Sequence, residues 1–277
     1  LWLCSFGNGL EKITFNTSHF HLLPIRPHDL EYAGNNIRAI FQDSNGNIWV
    51  GSKDKIIRVY DKKLHYLGSL TSQGTISLNS TEELGMAYSF FEDHEGTIWI
   101  GTKGKGLIAA RRQHTASLKF QLHHYMADDK DLYSLSGNEI YSLYEDTNQR
   151  LWIATFEGGV NYLDLKTAMR FPRFINHRNQ LKNYPITQCY RTRFITGDEQ
   201  GNIWIGSSAG LLMCNNPNSN PEQIRFRHFS RIPGDIHSLS NNDVHSIFFS
   251  KNKEMYVATF GGGFNKLISF ENEEAKF

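Results

Sequence analysis

The 277-residue chain is short of cysteine, of charge imbalance and of long apolar runs, and each shortage excludes something. Its three cysteines, Cys4, Cys189 and Cys214, are odd in number and far apart, so neither a disulfide framework nor a zinc-ligand spacing is present. They read as small buried thiols and leave the redox compartment open. Lysine and arginine total 29 against 28 aspartates and glutamates, a formal charge of +1 without basic runs. That balance argues against a nucleic-acid or anionic-membrane partner, since both demand concentrated basic surface. No apolar stretch approaches the roughly 18–20 residues of a membrane-crossing helix, so this segment does not span a bilayer. The chain opens at Leu1 with neither an initiator methionine nor a signal peptide, and reads as a piece of something longer. At 39% apolar and 13% aromatic residues it is too rich for the disordered class.

What it has is a repeat. Tryptophan falls at positions 2, 49, 99, 152 and 204, and Tyr256 stands where a sixth is due. Around each lies one phrase: Asp43, Gly46, Trp49 and Gly51; Asp93, Gly96, Trp99 and Gly101; Asp146, Gln149, Trp152 and Ala154; Asp198, Gly201, Trp204 and Gly206; Ser250, Lys253, Tyr256 and Ala258. Before each phrase runs a short segment of β-branched and aromatic residues: 37–42, 87–92, 140–145, 192–197 and 244–249. These are too short for useful helices and read as strands. The Asp-x-x-Gly between strand and tryptophan is hairpin chemistry, because aspartate bonds its own backbone two residues on and glycine accepts positive φ. Where Gln149 and Lys253 replace the glycine, the hairpins are expected to persist with altered turns.

A third strand follows each tryptophan, at 56–60, 106–110, 160–163, 211–214 and 264–267, and a fourth in most units, as at 120–125 and 225–229. Four antiparallel strands in about 50 residues, repeated five or six times, describe an all-β fold of β-propeller blades. The expected division is a partial blade over 1–34, blades near 35–84, 85–137, 138–189 and 190–241, and a last, incomplete one over 242–277. The whole is expected to be a fragment of a seven-bladed ring.

The extended phrase, Asn-x-(Ile/Val)-x-Ser-(Ile/Leu/Phe)-x-x-Asp-x-x-Gly-x-(Ile/Leu)-Trp-(Ile/Val)-Gly-Thr-x-x-Gly-Gly-(Leu/Val), resembles the two-component regulator propeller repeat. Residues Asn138–Val160 match most of it, departing at Gln149 and Ala154. The Asp-x-x-Ser-Leu-Ser spacers at Asp131–Ser136 and Asp235–Ser240 resemble that family too. The resemblance implies a periplasmic sensor of a hybrid two-component system, part of an inner-membrane protein that responds to oligosaccharides from glycan breakdown. It implies further blades and a second propeller in the same polypeptide, and a homodimer of the full sensor. It also implies that this segment is no enzyme and needs no cofactor, any histidine kinase lying in a cytoplasmic part absent here.

Two other readings stand beside it: a structural or protein-interaction propeller without a small-molecule site, and a glycan-active enzyme of the Asp-box type. The last would need an arginine triad and a tyrosine nucleophile, which cannot be assigned. The repeated Asp43, Asp93, Asp146 and Asp198 are spaced one per blade, so they do not form the facing carboxylate pair of a glycosidase. With Trp49, Trp99, Trp152 and Trp204 they read as architecture. Adjacent His123 and His124 point to opposite strand faces, and neither they nor His19 and His21 have a metal-ligand spacing. Asn16 and Asn79 open glycosylation sequons that are taken as chance.

One column is more suggestive. Five residues before each phrase lie Arg38, Tyr88, Tyr141, Arg193 and His245, near the start of the innermost strand at the mouth of a central channel. Aromatic faces stack on sugars, and arginine supplies forked donors to hydroxyl-rich ligands. The loop after each tryptophan strand should emerge on the same face, carrying Lys53, Lys103, Lys105, Phe156, Glu157 and Phe260.

Overall fold

The computed structural model describes residues 2–5, 9–12, 25, 31–113, 118–168, 170–215, 220–271 and 274–277. Asn16, His19 and His21 lie outside the described residues, as do the side chains of Trp2 and Cys4. At the start, Trp2–Ser5 and Gly9–Lys12 pair as a hairpin.

Five blades follow. Blade one comprises Ile37–Gln42, Ile48–Ser52, Ile57–Tyr60 and Tyr66–Leu70, with a short fifth strand Ile76–Ser77. Blade two has Met86–Glu92, Thr97–Lys103, Leu107–Arg112 and Phe120–Tyr125. Blade three has Glu139–Glu145, Arg150–Phe156, Gly159–Asp164 and Phe174–Asn176; one Glu139–Lys103 pairing joins it to blade two. Blade four has Thr192–Gly197, Ile203–Ser207, Gly210–Asn215 and Arg225–Phe229. Blade five has three strands, Val244–Phe249, Met255–Thr259 and Gly263–Lys266; the strands Ser269–Glu271 and Glu274–Lys276 pair with each other instead of adding a fourth.

The repeated phrase is a lock between a turn and a tryptophan. In blade one, one carboxylate oxygen of Asp43 accepts from the backbone N–H of Asn45 (3.0 Å) and Asn47 (2.8 Å). The other accepts from the indole N–H of Trp49 at 3.0 Å. Asp93, Asp146 and Asp198 accept from Trp99, Trp152 and Trp204 in the same way, each at 2.7 Å. All four indoles are buried, so the carboxylate satisfies a donor that would otherwise lose its hydrogen bond on folding.

The turns at Gln149 and Lys253 are not altered, contrary to expectation. Both residues take positive φ, 63° and 65°, and the bonds Gln149 N–H to Asp146 O and Lys253 N–H to Ser250 O repeat those of the glycine copies. The surrounding hairpin imposes the geometry, and the backbone of Gln149 and Lys253 bears the strain.

Each tryptophan face packs on the next blade, giving four separate cores. One joins blades one and two around Trp49, a second blades two and three around Trp99, a third blades three and four around Trp152, and a fourth blades four and five around Trp204. Gly51 and Gly101 permit the close approach: a Cβ on either would lie 2.6 Å or less from atoms on or facing the next blade's inner strand, Ala87 for Gly51, and Ser89 and Ile140 for Gly101. The packing is not repeated between blade five and blade one among the described residues, so the blades form an arc. Ile40 of blade one is accordingly 69% exposed, whereas its counterparts Leu143, Ile195 and Ile247 are buried beneath the preceding blade.

Candidate functional site

In every blade the inner strand carries a β-bulge at one place. Register slips between Ile37 and Ala39, Ala87 and Ser89, Ile140 and Ser142, Thr192 and Phe194, and Val244 and Ser246. The residue skipped by the ladder is Arg38, Tyr88, Tyr141, Arg193 or His245. A bulge leaves one residue out of the pairing and re-aims its side chain. Because inner strands stand side by side around the arc, five such residues face one another along one rim.

They form a continuous ladder. The Arg38 guanidinium lies 5.9 Å from the centre of the Tyr88 ring, and Tyr88 lies 4.7 Å from Tyr141. Tyr141 stacks on Phe156 at 5.1 Å, and the Arg193 guanidinium lies over that same Phe156 ring at 4.9 Å. Arg193 then donates to both oxygens of Asp243, at 2.8 and 3.2 Å. Asp243 lies 3.7 Å from His245, which stacks on Phe260 at 5.6 Å. Arg191 adds a second guanidinium over Phe156 at 5.3 Å and over Tyr190 at 4.9 Å, and pairs with Glu157 at 3.4 Å.

The phenol at the centre of the ladder is a hydrogen-bond donor. Burial first, then the neighbouring Tyr88 and Glu139, raise the Tyr141 phenol above its ordinary range, against the pull of Arg193 and Arg38. Tyr141 therefore keeps its proton at neutral pH and can donate it in a hydrogen bond. Arg38, His245, Phe260 and Glu157 are exposed, while Tyr88, Tyr141, Phe156, Arg193 and Asp243 are half-buried.

Not every residue singled out from the sequence joins the ladder. Lys53, Lys103 and Lys105 are exposed and make no described ladder contact; Lys105 contributes its carbonyl to the His124 ring instead. Sequence reasoning missed Arg191 and Asp243. Both belong to the column seven residues before the phrase, Asn36, Met86, Glu139, Arg191 and Asp243, whose polarity was the available signal.

Two concave regions lie elsewhere. One of about 860 Å³ is the face of blade one that no other described blade covers, lined by Ile37, Ile40 and Val50 among others, and one of about 690 Å³ borders blade five. The thiols of Cys189 and Cys214 are buried; burial raises the first and pushes the second to about 12, so neither is a nucleophile. Among the described residues no group of His, Cys, Asp or Glu is placed to hold a metal ion. No described helix is long and apolar enough to cross a membrane.

Residues 31–54, 84–104 and 134–157 match the two-component regulator propeller family. These three segments are two-component regulator propeller repeats. Each matched segment runs from the bulged inner strand through the Asp–Trp lock, so Arg38, Tyr88, Tyr141 and Phe156 of the ladder lie within matched segments. No curated protein matches the chain.

Among solved structures it is similar to PorZ, a bacterial surface component of the type-IX secretion system of Porphyromonas gingivalis, at 16% identity and TM-score 0.60, covering 83% of this chain and 31% of that one. It is similar to the extracellular domain of a putative hybrid two-component system from B. thetaiotaomicron at 21% identity and TM-score 0.44, covering 84% and 40%. It is also similar to a virginiamycin B lyase from Staphylococcus aureus at 14% identity and TM-score 0.49, covering 86% and 71%. The PorZ likeness shows the propeller fold. The chain spans about a third of the PorZ structure and two-fifths of that extracellular domain.

Proposed function

We propose that the chain is a ligand-sensing segment in the periplasmic part of a hybrid two-component regulator, and that the bulge-borne ladder receives an oligosaccharide. The ladder carries the reading. Rings at Tyr88, Tyr141, Phe156 and Phe260 offer faces to sugar rings, and Arg38, Arg193 and His245 offer donors to hydroxyls from three different blades. A ligand bridging several blades would favour one mutual arrangement of them. Such a difference in affinity is the minimum needed to shift a conformational equilibrium toward signalling.

Binding without turnover fits the same residues. The carboxylates of Asp243 and Glu157 are each committed to an arginine, so neither is a free general base.

The test is calorimetric titration of the chain with a panel of purified oligosaccharides, alongside the variant Arg38→Ala/Tyr141→Ala/Arg193→Ala. Saturable binding by one glycan class, weakened at least about tenfold in the variant, supports the site, since each lost charged or stacked contact contributes about 1 kcal/mol or more. Binding that survives unchanged would remove the ladder from the site. Absence of binding by any glycan would favour a structural or protein-interaction propeller.

A further inference from the structure

The middle of the ladder holds positive charge that its own carboxylates answer unevenly. Arg191 enters it from the segment before the inner strand of blade four. The Tyr190 carbonyl accepts from the N–H groups of Gly158 and Gly159 in blade three, at 2.9 and 2.8 Å, and the Arg191 carbonyl accepts from Ser208 in blade four at 3.0 Å. The segment is thus pinned across the third seam, with described blades on either side of it. The Phe156 ring then collects two guanidiniums, Arg191 at 5.3 Å and Arg193 at 4.9 Å, while Tyr141 stacks on it at 5.1 Å. Like charges over one ring repel, and each needs an anion.

Arg193 has one. Its Nε and Nη2 donate to the two oxygens of Asp243 at 2.8 and 3.2 Å, the forked geometry that suits a carboxylate. Arg191 has a single described hydrogen bond, from Nη2 to Glu157 Oε1 at 3.4 Å, between side chains 42% and 57% exposed. One long contact in solvent contributes little. The Arg191 Nε is buried without a partner, so stacking on Phe156 and Tyr190 holds this guanidinium more than its carboxylate does. Along the same rim Arg38, Lys53 and Lys103 have no described ion pair. Among the described rim carboxylates Glu139 alone lacks one, and its backbone pairs with those of Phe156 and Lys103.

We propose that the group this rim selects is the carboxylate of a uronic acid residue, bound by Arg191 in exchange for Glu157. The inference rests on the ladder being the ligand site. Glu157 is fixed at a turn, its backbone at a φ of 71°, and reaches Arg191 with one oxygen. A ligand carboxylate is free to align both oxygens with the terminal nitrogens, so the exchange replaces one long contact by a fork. A neutral sugar cannot make it, because it would part Arg191 from its counter-ion and return only a hydroxyl acceptor. Tyr190, 39% exposed beside Arg191, adds ring surface for the sugar that carries the carboxylate.

The test is calorimetric titration of the 277-residue chain with oligogalacturonates, oligoglucuronans and alginate oligomers, each beside its carboxyl-reduced, neutral counterpart. One acidic series should bind saturably, and its reduced counterpart at least about tenfold more weakly. Arg191→Gln should bring the acidic series down to the neutral level. Glu157→Gln removes the competing carboxylate and should tighten acidic binding about two- to fivefold, the scale of an exposed ion pair. Glu157 is exposed, so folding does not confound that variant. Reduced oligomers that bind as well as acidic ones, and bind less well to Arg38→Ala/Tyr141→Ala/Arg193→Ala, would keep the ladder and overturn the uronate subsite. Acid-selective binding indifferent to both Arg191→Gln and Glu157→Gln would also overturn it. Absence of binding by every member would overturn the ladder and the subsite together.

Discussion

Gln149 occupies a turn position that three of the five copies fill with glycine, and holds φ at 63°. Its backbone N–H still donates to Asp146 O at 3.0 Å, and its own carbonyl accepts from Leu165. A Cβ in this region costs roughly 1 kcal/mol, part of which glycine returns through its greater freedom when unfolded. Gln149→Gly is therefore expected to stabilise blade three by about 0.5–1 kcal/mol, a rise of about 1–2 °C in thermal midpoint for a chain of this size. Gln149→Ala keeps the Cβ and should give no such rise. Equal effects of the two substitutions would show that the side chain beyond Cβ, not the backbone, carries the cost.

The hairpin between the second and third strands of blade one shows how an element holds a charge pair under cover. Arg58 and Asp54 form an ion pair with side chains only 6% and 9% exposed, and Ser52 and Tyr32 also donate to Asp54. Burial alone would raise the Asp54 carboxyl, but Arg58, Ser52, Tyr32 and the Ile56 N–H together hold it at about 2. The folded value lies below the unfolded one, so the stabilisation is complete above about pH 4 and is lost as pH falls toward 2. Discounted for solvent screening, the loss should be about 1–2 kcal/mol. Asp54→Asn will be less stable at neutral pH, because Arg58 loses its partner. Its urea stability measured from pH 5 to 2 should nonetheless fall less steeply than that of the parent. Parallel curves would exclude Asp54 as the titrating group.

At this scale the sequence is informative about strands and silent about their neighbours. The inner strands at 37–42, 192–197 and 244–249 begin and end where alternation and turn chemistry place them, because both signals are local. The Asp–Trp bond is local as well, six residues apart, yet indole donors leave no mark in a pattern of apolar residues. The bulges are legible only as a column of unlike residues, since register depends on the partner strand. Arg191 and Asp243 escaped because their partners are remote: Arg193 and Asp243 are fifty residues apart, and Glu157 and Arg191 thirty-four.

The molecule as a whole is a row of units joined by four seams, each with its own core. Some seams are also clasped. Glu92 accepts from the Ser44 N–H and hydroxyl across the first, and Glu145 from the His94 N–H across the second. At the third, Gly197 stands where those glutamates stand, and the Tyr144 ring occupies the space instead. In such an array stability is a sum of unit and nearest-neighbour terms, so damage at one seam should reach only the blades it joins and those beyond. Leu212 is fully buried in the seam between blades three and four. Leu212→Ala is expected to cost about 2–5 kcal/mol there. Amides in 192–215 and 244–266 should then exchange faster by the corresponding factor, while those in blade one, three seams away, keep their parental rates. Uniform acceleration from Ile37 to Lys266 would show that the blades unfold as one cooperative body. In that case a ligand on the ladder would act on the whole arc at once instead of on the seams it spans.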